Sequence, residues 1–193
     1  MNQDVFEPGA FYHIYNRGNN HENIFIEERN YSYFLKLVWK YIVPIANIYA
    51  FCLLRNHFHL LVQIREESRL PERYQAKPYL GFSHLFNSYT QSINKMYQRN
   101  GSLFQEHLKR KRIEDEKYLI QLIAYIHLNP VKHKFSDNFQ TYPYSSFRTY
   151  LSDKPSILEK DYIFSLIDRE EFEGWHDEKK LVTLEAAGLA IEG

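Results

Sequence analysis

Cysteine is almost missing from this 193-residue sequence: Cys52 stands alone, so no intramolecular disulfide can form and a disulfide-scaffold fold is excluded. Glycine and proline number seven each, too few for a fibrous or low-complexity chain. Long apolar runs are lacking too. The stretch from Ile42 to Leu54 is broken by Pro44 and Asn47 and falls short of the roughly 20 residues that a membrane-spanning helix needs. No basic stretch leads into an apolar one near the amino terminus, so the reading is of a cytoplasmic chain without membrane association. Net charge is also absent, with 24 basic side chains balancing 24 acidic ones.

That zero hides an asymmetry. Residues 1–150 carry 19 Lys and Arg against 13 Asp and Glu, a balance of +6, whereas residues 151–193 carry 5 against 11, a balance of −6. A polyanionic partner is therefore not excluded by the total. The organisation expected is a basic domain over 1–150 followed by an acidic extension over 151–193, where Tyr162, Phe164, Leu166 and Ile167 suggest a further helix.

Within the basic part, aromatic and β-branched residues from Phe11 to Tyr15 run into the turn-forming Asn16 to Asn20, which predicts a strand and then a loop. Tyr31, Phe34, Leu35 and Val38 recur at helical spacing and predict a helix over 27–41, stopped by Pro44. The apolar runs 47–54 and 57–64 are separated only by Arg55-Asn56, which predicts a hairpin at the centre of the sheet. A polar loop over 66–78, a helix over 79–97 and a strand within 103–113 follow, and Asp115 can cap a third helix that ends at Pro130. The order β-α-β-β-α-β-α predicts an α+β fold, a split βαβ sheet with helices on one face.

Three local patterns carry chemistry. In Asn56-His57-Phe58-His59, the two histidines lie two apart on a strand, so they share a face while Phe58 turns to the other. Two imidazoles can converge there on one metal ion, but the same pattern also suits a polar sheet face. In Tyr125-Ile126-His127-Leu128-Asn129-Pro130, Tyr125 and Asn129 are four apart and share a helix face, although an amphipathic aromatic and a helix terminator would account for both. His127, about 200° round the helix from Tyr125, belongs to packing or capping. The run Lys109-Arg110-Lys111-Arg112 is the densest positive stretch, suited to phosphates or to blunting an edge strand.

Together with Tyr12 to Gly18, Gly101 to Gln105 and Tyr144 to Phe147, these blocks resemble the REP-associated tyrosine transposases, single-tyrosine members of the HUH transposase superfamily, over about residues 10–150. The resemblance implies a ferredoxin-like antiparallel sheet and a metal-dependent endonuclease and strand transferase acting on single-stranded DNA, with hairpin DNA as partner. It implies Tyr125 as the nucleophile that forms a 5′-phosphotyrosine, and His57 and His59 as ligands of Mg²⁺ or Mn²⁺. Asn129 stands where related enzymes can carry a glutamine ligand. His13, Arg17, Arg55 and the run 109–112 are expected to contact DNA. Monomer and homodimer both remain open, as do a phosphodiesterase that uses metal-activated water and a non-cleaving DNA-binding relative.

Overall fold

The computed structural model describes residues 6–176. Its elements are β1 (Phe11–Arg17), α1 (Glu28–Tyr41), β2 (Ala46–Leu54), β3 (His57–Ile64), α2 (Glu72–Gln75), α3 (Tyr79–Met96), β4 (Lys109–Ile113), α4 (Glu116–Lys132), α5 (Phe147–Tyr150) and α6 (Lys160–Leu166). The four strands form one antiparallel sheet in the order β2-β3-β1-β4. With α1 and α3 as the two crossovers, this is the βαββαβ ferredoxin-like arrangement expected.

Two expectations need correction. The β2–β3 hairpin forms, but β1 pairs with the free side of β3, so β3 and β1 are the central strands and β2 is an edge. Helices also cover both faces. Phe34 of α1 and Phe86 of α3 meet Phe58 on one face, while Tyr125 of α4 lies over His13 and His59 on the other. The alternation along β3 accounts for this: Phe58 and the histidines point to opposite layers. Both layers are buried, as the near-continuous burial of β3 records.

Helix α4 starts as expected, with the Asp115 side chain accepting from the Tyr118 N–H at 2.7 Å, a cap worth about 1 kcal/mol. It does not stop at Pro130, which lies inside it. Proline lacks the N–H that would bond the Ile126 carbonyl. The Asn129 side-chain amide bonds the neighbouring Tyr125 carbonyl at 2.8 Å, and the helix persists to Lys132 because its whole middle is packed in the core.

The exposed edge of β2 is closed by the carboxy-terminal segment. Leu53 N–H donates to the Tyr144 carbonyl and Ser146 N–H to the Phe51 carbonyl, while Glu159 N–H donates to the Ile48 carbonyl. Beyond residue 150 the chain continues into the same core, with Ile163 and Phe172 buried. His127 has the packing role expected of it: fully buried, its Nε2 bonds Ser146 Oγ at 2.7 Å and its Nδ1 bonds His176 Nε2 at 2.8 Å. The acidic residues 177 and 178 lie outside the described residues.

Gly81 marks where α3 crosses the end of α1. A methyl group there would lie 2.5 Å from Ile45 Cδ1 and 2.8 Å from the Tyr41 carbonyl oxygen. Gly81→Ala is expected to lower stability by about 1–3 kcal/mol, despite alanine's better helix propensity. A urea titration checks this; an unchanged or raised midpoint would contradict the close approach.

Candidate active site

The strand register decides which residues meet. Tyr15 lies opposite His59, and Arg17 opposite His57, so His13, Tyr15, Arg17, His57 and His59 share one face. Their rings form a continuous layer: His13 and His59 are 5.1 Å apart between centroids, His13 and Tyr15 5.0 Å, and His57 and His59 5.3 Å. Helix α4 covers this layer. Its Tyr125 ring meets His59 edge-on at 5.9 Å and His13 at 6.4 Å. Asn129 and Lys132, four and seven residues further on, follow the same helix face. Lys132 Nζ sits 4.9 Å from the centre of the Tyr125 ring.

Each histidine of the pair has one ring nitrogen engaged. Nδ1 of His57 is 2.7 Å from Asn56 Oδ1, and Nδ1 of His59 is 2.9 Å from Nε2 of His13. Because an amide oxygen can only accept, His57 must carry its hydrogen on Nδ1, which leaves Nε2 as a lone pair. Nε2 of His57, Nε2 of His59 and Oδ1 of Asn129 are buried without a hydrogen-bond partner. These three unpartnered polar atoms, two imidazole nitrogens and one amide oxygen, make a set that could hold a divalent cation when both nitrogens are bare. Among the described residues no group of three or more His, Cys, Asp or Glu side chains could do so.

The electrostatics keep these histidines neutral. Burial, with a smaller effect from Lys111, lowers the His13 pKa to about 3. Burial lowers His57 to about 3, assisted by His133, Arg17 and Lys132, and pushes His59 well below its ordinary value. All three are neutral at pH 7, the form in which imidazole binds a metal. Burial raises the Tyr15 pKa, and the neighbouring Tyr125 and Tyr118 raise it further.

Sequence and fold comparisons bear on this arrangement. A protein named for the REP-associated tyrosine transposases, from Haemophilus influenzae, is 29% identical over 122 residues, which span 58% of this chain and 64% of that one. The solved structure of a REP-associated tyrosine transposase bound to a REP hairpin shares the fold, with a TM-score of 0.62 over 80% of this chain and 88% of that one, at 15% identity. The likeness is to the REP-associated tyrosine transposases. No protein-family model matches the chain. The match spans less than two thirds of the curated relative's length.

In the light of that likeness, the expected site residues fall into groups. His57, His59, Tyr125 and Asn129 lie at one interface, between β3 and α4. His13 is fully buried against His59 rather than displayed on the surface. The basic run divides by strand alternation: Lys109 and Lys111 take the histidine face, opposite Tyr15 and His13, whereas Arg110 and Arg112 take the other. Arg110 lies over the Phe6 ring, and Arg112 pairs with Glu7 at 2.6 Å and Glu114 at 3.4 Å. Arg17 is half-buried beside His57, and Arg55 is exposed in the β2–β3 turn.

Sequence reading missed Asn56, Lys132 and His133. The first was legible as the residue before a strand histidine, but its role depends on a rotamer. Lys132 was findable from its spacing of seven after Tyr125. His133, whose ring is 4.6 Å from His57, follows α4 and is brought there by tertiary packing alone.

The buried neutral histidines predict a pH dependence. His13 and His57 have folded values of about 3 and His176 about 4, against an ordinary value of 6.5. Between those limits the unfolded chain binds protons that the folded one does not, so stability is fully present above pH 6.5 and falls as pH drops. Each group contributes a slope of up to about 1.4 kcal/mol per pH unit. In metal-free buffer the urea midpoint is therefore expected to fall from pH 7 to pH 5; a flat or rising midpoint would contradict the burial of these rings.

Proposed function

We propose that this protein is a metal-dependent single-stranded DNA endonuclease and strand transferase, a transposase that acts on DNA with hairpin structure. The observation that supports this most is the seating of Tyr125 against His59, beside three unpartnered polar atoms, in a chain similar to a REP-associated tyrosine transposase. A cation held by His57, His59 and Asn129 would draw charge from a non-bridging phosphate oxygen, the Lewis-acid contribution to phosphoryl transfer.

The protein side chains do the rest. The Tyr125 oxygen attacks phosphorus, the bond to the 3′ oxygen breaks, and the phenol proton ends on the released 3′-hydroxyl. A 5′-phosphotyrosine keeps the phosphodiester's bond energy, so a second 3′-hydroxyl can reverse the step at a new junction. The Lys132 ammonium over the Tyr125 ring favours the negative charge that develops on the phenol oxygen. Lys109 and Lys111, on the same face as the histidines, receive the phosphates that flank the reacting one.

A labelled hairpin oligonucleotide with Mn²⁺ on a denaturing gel is expected to give a covalent adduct, absent in Tyr125→Phe and reduced to background in His57→Ala, with most DNA affinity kept in both. Cleavage that survives Tyr125→Phe would mean a water-using phosphodiesterase, and binding without cleavage would mean a non-cleaving relative. The division of the basic run has its own consequence. Lys111→Ala is expected to reduce the slope of log affinity against log salt by about 0.7, the share of one single-strand phosphate contact, whereas Arg112→Ala leaves it unchanged. Equal effects of the two would place the strand elsewhere.

A further inference from the structure

We propose that His13 is the positioning residue for His59: its Nε2 accepts from the His59 Nδ1–H and holds that ring with Nε2 bare and turned toward the Tyr125–Asn129 side. This rests on the reading of the histidine pair as cation ligands. The two histidines are held differently. His57 has Asn56, an amide oxygen that can only accept, so its tautomer follows from chemistry alone. His59 has another imidazole at 2.9 Å, which can accept or donate, so its tautomer depends on which way that one hydrogen bond runs.

The consequences of the two directions differ. If His59 donates, its Nε2 keeps a lone pair for a cation, and only His13 Nδ1 is left without a partner once a cation is bound. If His13 donates, His59 carries its hydrogen on Nε2, which bars a cation and leaves both outer nitrogens unpartnered in the interior. With His13 at 0% and His59 at 3% exposure, bulk water does not compete for this hydrogen bond. The strand register explains how the contact arises. His13 lies opposite Leu61, and its ring reaches diagonally across β1 and β3 to His59, a reach that aromatic side chains manage and short ones do not. Ligand histidines are oriented in this way by an acceptor on the far nitrogen, and loss of such an acceptor typically weakens metal affinity 10–100-fold.

The test uses the full chain and Mn²⁺ alone. Mn²⁺ binding is followed by the electron paramagnetic resonance of the free ion for wild type, His13→Phe and His13→Gln, with thermal melts alongside. Nitrogen-15 imidazole spectra at pH 7 report the tautomer. His13→Phe is expected to lose about 10–100-fold in Mn²⁺ affinity. His13→Gln, whose amide oxygen restores an acceptor, is expected to recover most of it, and wild-type His59 to carry its hydrogen on Nδ1. Wild-type affinity in a folded His13→Phe, or a His59 hydrogen on Nε2 in the wild type, would overturn the proposal. If His13→Phe does not fold, the wild-type tautomer and His13→Gln decide. Should the wild type bind no Mn²⁺, the cation reading fails separately, and the His59 tautomer still decides whether His13 positions that ring.

Discussion

The pairing of β1 with β3 is the constraint on which the rest depends. Its register sets Tyr15 opposite His59 and Arg17 opposite His57, so one face of two central strands becomes a row of imidazoles and phenols. A slip of one residue would exchange this row for Tyr12, Ile14 and Phe58, which fill the core against α1 and α3. The hydrophobic layer thus protects the polar one. Exposing Phe58, buried against Phe34 and Phe86, would cost about 2–3 kcal/mol in lost burial for that side chain alone.

Laying α4 over the polar row has a cost of another kind. Histidines and an asparagine are taken from water, and not all of their nitrogens and oxygens find partners within the protein. The fold tolerates this because α4 also buries Leu122, Ile123 and Ile126, and because the strap from Tyr142 to Phe172 clamps β2 beneath it. His127 ties helix, strand and strap together through Ser146 and His176. Apolar contacts around the interface offset the unpartnered groups within it.

Much of this was legible beforehand. The strands, the three long helices and the Asp115 cap follow from hydrophobic period and residue preference, and the pairing of His57 with His59 on one face follows from alternation. The basic run divides between two faces because consecutive strand residues alternate, and here Arg112 pairs with Glu7 and Glu114. Pro130 misled as a helix terminator because burial of α4 outweighs the loss of one backbone hydrogen bond.

By itself the sequence determined the elements and the faces on which their side chains fall. It could do so because side-chain direction along a strand or helix is a local property with periods of 2 and 3.6. Only the tertiary structure decided that α4 covers the histidine face, that His13 turns inward to His59, and that His133 meets His57. Those contacts join residues 46 apart in one case and separate layers in another, and they depend on packing and rotamers that no local pattern specifies.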